Sequence, residues 1–202
     1  LDLCRADEIP DAAAIAHTHQ WDWQQGDQSH PCLHSADLII ISPAVKPTNL
    51  PDNESILIKC CSDLMLFCHW HNGQRIGITG TKGKSSTAHI CGQLCDWHVI
   101  GNSNRSVLSH LLEYGSDSNV VIELSSFQLW YLFNSDAQFT VGITTRIDRD
   151  HLDWHSSLEE YHRCKQWLSM HADHIISENE NNSRIKDQNL YVGEQMIATC
   201  AS

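Results

Sequence analysis

Two glycines three residues apart, followed by a lysine and two hydroxyls, make Gly80-Thr81-Lys82-Gly83-Lys84-Ser85-Ser86 the stretch of this chain best suited to hold an anion. Glycines at that spacing let the backbone turn sharply and aim several N–H groups at one point, where a phosphate fits. Lys84 then reaches terminal phosphates and the Ser85 hydroxyl ligates magnesium. The usual phosphate-loop spacing is not met, because Ile78 stands five residues before Gly83. The flanks restore the reading: Arg75 to Thr79 reads as a buried strand, and Ser86 to Trp97 as a helix leaving the loop. That helix would add its free N-terminal donors and the positive end of its dipole to the attraction.

A second chemical feature lies downstream. Asn119 to Leu124 reads as a strand of buried aliphatics that carries Glu123 near its carboxyl end, where ligands bind in open α/β folds. A carboxylate there is a natural second anchor for magnesium, which takes a few carboxylates together with phosphate oxygens and waters. The strand Phe139 to Thr144 is followed by Asp148, Asp150, His151, Asp153 and His155, of which His151 suits a magnesium or substrate contact. Asp153 is as well explained by capping of the next helix, Ser157 to Ala172, where Ser157 and Glu160 match a capping box and Glu159 can pair with Arg163. Lys165 has no acidic residue at positions 161 or 162. From its spacing alone it reads as an exposed helical lysine.

These groups need a scaffold, and the apolar runs supply one. Ala36 to Ser42 reads as a buried parallel strand, Ser55 to Cys60 as a second, and Asp63 onward as a short helix capped by Ser62. A helix is expected over Ser106 to Tyr114, and Leu190 to Gly193 is a short candidate strand after a polar stretch. Strands alternating with helices imply an α/β fold of doubly wound parallel sheets. A boundary near His71 to Gly73 gives two parts, residues 1–71 and 72–202.

Composition narrows the class. A net charge of −12 with no Lys/Arg cluster excludes the footprint of a nucleic-acid binder. No apolar run approaches a membrane span and the first residues lack a signal-peptide pattern, so a cytoplasmic protein is expected. The nine cysteines include no C-x-x-C pair and read as buried thiols. Cys91, Cys95 and His98 at helical spacing, and Cys68, His69 and His71, are possible metal clusters that read better as packing.

The loop "GTKGKSS", the stretch "ELSSFQL" and "DHLDWHSSLEEYHRCK" together resemble the Mur ligase family in order and approximate spacing. "ELSSFQL" is similar to the branch that joins D-glutamate to UDP-N-acetylmuramoyl-L-alanine. The resemblance implies part of a Rossmann-like N-terminal domain that binds the uridine nucleotide, followed by a P-loop ATPase-type central domain. A third, C-terminal domain is expected to be absent and the 202 residues alone to be inactive. It implies a cytoplasmic, monomeric ligase of peptidoglycan synthesis that uses ATP and magnesium. Gly80, Thr81, Lys82, Gly83, Lys84, Ser85 and Ser86 would bind ATP, with Lys84, His151 and Lys165 as catalytic groups. Ser85, Glu123, His151 and Lys165, the last as its carbamate, would serve metal, while Asn102, Ser125 and Gln128 would face the UDP-muramoyl substrate. Lys82, Ala44 and Arg146 depart from residues common in the family. Two other readings are a non-catalytic nucleotide-binding module or decayed paralogue, and a ligase like the folylpolyglutamate synthases.

Overall fold

The computed structural model describes residues 17–18, 20, 32–49, 54–101 and 105–177, and the backbone alone of 189–192 and 195–199. It divides into two compact units, Leu1–Cys61 and Ser62–Ser202.

In the first unit a short helix, α1 (Cys32–Ser35), precedes the two-residue strand β1 (Ile39–Ile40). A second helix, α2 (Glu54–Leu57), precedes β2 (Cys60–Cys61), which pairs in parallel with β1. The apolar run Ala36 to Ser42 is therefore mostly not a buried strand: Leu38 is 54% and Ile40 61% exposed. Ser55 to Cys60 is corrected to a helix followed by a strand. Ile56 is buried while Ile58 points outward, and the Lys59 ammonium closes the turn by donating to the carbonyls of His34 and Ala36 at 3.1 and 2.8 Å.

The second unit begins with α3 (Asp63–Trp70), whose cap Ser62 accepts the Met65 N–H at 3.1 Å, as its sequence implies. The division falls after Cys61 rather than near His71, because Leu64, Phe67 and Cys68 belong to the second unit's own core. Ser62→Ala removes the acceptor of the Met65 N–H and should lower stability by about 1 kcal/mol, read as a fall in the urea midpoint with unchanged slope.

Five parallel strands form the sheet: β3 (Arg75–Thr79), β4 (His98–Gly101), β5 (Val120–Glu123), β6 (Phe139–Thr144) and β7 (Ala172–Ser177), in the order β4-β5-β3-β6-β7. Residues of β5 alternate between two cores, since Val120 and Ile122 pack on one side and Val121 on the other. Helix α4 (Lys84–Cys95) supplies Ala88 to the second core. On the other side lie α3, α5 (Leu108–Tyr114), α6 (Ser126–Tyr131) and α7 (Leu158–Met170). This is the doubly wound α/β arrangement. Strands β8 (Asn189–Val192) and β9 (Gln195–Thr199) form a separate antiparallel pair.

Three local expectations are corrected. Helix α4 stops at Cys95, with Asp96 in the left-handed region (φ 55°), so His98 lies on β4 and shares no helical face with Cys91. Ala172, read as the last residue of a helix, instead opens strand β7. Ser157 does cap α7, but Glu160 turns to the Ser156 N–H at 2.7 Å, and Arg163 lies over the Phe133 ring instead of forming the expected helical pair. Several histidines serve as flat packing surfaces: His71 stacks on Phe67 with centroids 4.6 Å apart and His171 on Trp167 at 3.9 Å. Among the described residues no group of three or more His, Cys, Asp or Glu is placed to hold a metal.

Candidate active site

Strand β3 delivers the phosphate loop to the carboxyl edge of the sheet. Gly80 adopts φ 144° and a Cβ there would collide with Thr145 Oγ1, so the loop passes against the end of β6 only because position 80 has no side chain. Gly83 (φ 89°) then turns the chain into α4.

The loop is held from several sides. Thr145 Oγ1 lies 2.7 Å from Lys82 O and 3.1 Å from Thr79 O, and Thr81 N–H donates to Arg146 O at 2.8 Å. Lys84 folds back over the loop, its ammonium donating to Gly80 O (2.9 Å) and Thr81 O (3.1 Å). In the first turn of the helix, Ser85 Oγ donates to Glu123 Oε1 at 3.1 Å. Glu123 is 8% exposed at the end of β5. Ser85 and Glu123 thus bring a hydroxyl and a carboxylate together beside the loop, the oxygen donor set a magnesium ion prefers.

Lys165 corrects its surface reading. It is 2% exposed, and its ammonium donates to Thr79 Oγ1 (3.1 Å) and to Gly80 O (3.0 Å), the carbonyl that also receives Lys84. Burial chiefly, and then the Lys84 charge, push its pKa down to about 7. The signal was in the sequence: Tyr161, Cys164, Lys165 and Leu168 fall at i, i+3, i+4 and i+7, and all four are buried.

His151 sits in the turn before α7 with φ 51°, its Nε2 3.5 Å from Asp150 Oδ2 and its ring 4.8 Å from that of Phe127. His155 is buried, with Nε2 2.9 Å from Ser126 Oγ, and burial holds its pKa down at about 4. Ser125 and Gln128 bond to each other: Ser125 Oγ accepts the Gln128 N–H (3.1 Å) and Gln128 Oε1 accepts the Ser125 N–H (2.9 Å), a capping box for α6. Ser86 is exposed on the first turn of α4, and Asn102 lies outside the described residues. Arg146 forms an exposed ion pair with Asp148 at 3.0 Å. The structure therefore gathers Lys84, Ser85, Glu123 and Lys165 at the loop. Tyr161, which the sequence did not single out, touches the loop as well, with its hydroxyl 2.6 Å from Thr81 Oγ1.

Residues 78–190, more than half of the chain, match the model of the Mur ligase middle domain. The chain belongs to the Mur ligase family. Among curated relatives, the UDP-N-acetylmuramoylalanine--D-glutamate ligase of Alkaliphilus oremlandii is 33% identical over 137 residues, covering 64% of this chain and 30% of that protein. The enzyme of the same name from Fervidobacterium nodosum is 32% identical over 155 residues, covering 69% of this chain and 34% of its own. A solved structure, that of a MurF ligase from Thermotoga maritima in complex with ADP, is similar with a TM-score of 0.44 at 18% identity, covering 70% of this chain and 36% of that one. This Mur ligase chain spans about a third of the length of the curated relatives it matches.

Proposed function

We propose that this chain is the nucleotide-binding part of an ATP-dependent ligase that joins D-glutamate to UDP-N-acetylmuramoyl-L-alanine. The observation that carries the reading is the convergence of Lys84 and Lys165 on one loop carbonyl, Gly80 O, beside the Ser85–Glu123 pair. A triphosphate entering the loop offers Lys84 better acceptors than the carbonyls it now holds. The free N–H groups at the start of α4 face the same anion.

Magnesium, held by Ser85 and Glu123 with phosphate oxygens and waters, would offset charge on the phosphates; the convergent oxygen donors fit it. Lys165, part-neutral near pH 7, is able to add to carbon dioxide as a free amine and become a carbamate, releasing one proton. The resulting carboxylate would give the site a second anionic oxygen donor group. The substrate carboxylate then attacks the γ-phosphorus, the bond to the bridging oxygen breaks, and ADP leaves. The amine of D-glutamate attacks the acyl phosphate, and amide, phosphate and a proton are released. The chain's own part in this is positioning and charge neutralisation, the main sources of rate in phosphoryl transfer. The similarity of "ELSSFQL" and the curated relatives' names support D-glutamate as the amino acid.

The test is phosphate release by the gene product that contains this chain, given ATP, magnesium and UDP-N-acetylmuramoyl-L-alanine with each of several amino acids in turn. D-Glutamate alone should support turnover. Release with another amino acid, or with folate substrates only, would overturn the substrate assignment. ATP binding without any turnover would favour a binding module.

A further inference from the structure

The phosphate loop is gripped by one face of one helix. Tyr161 and Lys165 stand four residues apart on α7, so their side chains project from the same stripe. Lys165 takes Thr79 and Gly80, and Tyr161 takes Thr81, so three successive residues, from the end of β3 into the loop, are tied to a single helix.

The direction of the Tyr161–Thr81 bond follows from counting protons. Thr81 Oγ1 has one proton and two lone pairs. The Asp148 N–H, 2.9 Å away, is only a donor and fills one lone pair. Asp148 O, 3.1 Å away, is only an acceptor and takes the Thr81 proton. Tyr161 is thereby left to donate to the remaining lone pair across 2.6 Å, which completes the capacity of the Thr81 hydroxyl. Tyr161 is fully buried, and its ring also lies 5.4 Å from the Lys165 ammonium and 5.4 Å from the His155 ring.

We propose that Tyr161 is a positioning residue for the phosphate loop: its hydroxyl fixes Thr81 and holds the loop backbone in its anion-binding shape. This rests on the reading of the loop as a nucleotide site. It also goes beyond that reading, because a Lys165 carbamate no longer carries the ammonium that donates to Thr79 and Gly80. The bond from Tyr161 is then a tie between α7 and the loop that does not depend on the state of Lys165.

Tyr161→Phe deletes the one atom at issue and keeps the ring. Amide hydrogen exchange on the chain without nucleotide should show the Thr81–Gly83 segment exchanging about tenfold faster in Tyr161→Phe, while the Val120–Glu123 strand is unchanged. Thr81→Val, which also removes the two bonds to Asp148, should exchange at least as fast, the double variant should be no worse than Thr81→Val alone, and Thr81→Ser should behave as wild type. Loop exchange unchanged in Tyr161→Phe, or raised equally throughout the sheet, overturns the proposal. Affinity for Mg·ATP is measured on the same proteins with Lys84→Met as control. Wild-type binding that Lys84→Met abolishes and Tyr161→Phe weakens about tenfold supports both readings. Failure of the wild type to bind overturns the nucleotide reading, and the exchange result still decides the role of Tyr161.

Discussion

Lys165→Met should make the protein more resistant to urea at or below about pH 7, by on the order of 4 kcal/mol, and the advantage should shrink steadily toward about pH 10.5. The native lysine has its pKa lowered from 10.5 to about 7, chiefly by burial. Below the lower value both folded and unfolded states carry the proton, so the folded protein bears the full cost of a buried ammonium. Between the two values the unfolded state holds a proton that the folded state lacks. Wild-type stability therefore rises with pH across that window. Methionine removes the titration and matches the apolar stem. The partners left behind are not orphaned: Gly80 O keeps Lys84 at 2.9 Å, and Thr79 Oγ1 keeps Leu124 O at 3.0 Å. The comparison must be made between the two proteins in buffer free of carbon dioxide. Burial also raises the pKa of Cys68 to about 11 and of Cys164 to about 12, and both thiols add an opposite trend at high pH; that of Cys68 cancels in the difference, whereas Cys164 feels the Lys165 charge, so the comparison is read below the range where these thiols ionise. Parallel stability curves for the two proteins would show that Lys165 is not desolvated as described. If the proposed function holds, the same substitution should abolish ligase turnover by the gene product that contains this chain. A variant that is more stable and inactive is the signature of a charge kept in the core for its chemistry.

How much of this could be read from the residues differs between the two units. In the second unit local and tertiary preferences agree: Arg75–Thr79 and Phe139–Thr144 form the strands their apolar runs imply, and Ser62 and Ser157 cap the helices they precede. In the first, Ala36 to Ser42 looked like a core strand, yet β1 is two residues long and Ile40 is largely exposed, because an apolar run of that length does not specify what covers it. Strand β4 was hidden by the helix before it, since the periodicity of Cys91 and Cys95 runs on to His98 and only the left-handed turn at Asp96 breaks it. At the site, the glycines and lysine of the loop carried their own chemistry. Lys165 and Tyr161 did not, because what matters is which loop their helix packs against. That is a tertiary fact, and the buried stripe on α7 is its only trace in one dimension.

Glu123→Gln should weaken Mg·ATP binding about a hundredfold while leaving ATP binding in the presence of a chelator unchanged or slightly tighter. Glutamine keeps the shape and the acceptor, so Ser85 Oγ retains its partner at the Oε1 position and the end of β5 keeps its packing. What disappears is one negative charge beside the phosphate loop. Without metal, that charge repels the triphosphate, so its removal costs the nucleotide nothing. On the proposed function, with magnesium present the charge would make the site prefer the complex to the free nucleotide. Calorimetric titrations of ATP with and without magnesium, on wild type and variant, separate these terms. Equal losses with and without the metal would mean that Glu123 acts on the nucleotide or the fold. No loss in either would leave it a strand-end glutamate bonded to Ser85, and the carboxylate holding magnesium would have to be sought elsewhere in the protein.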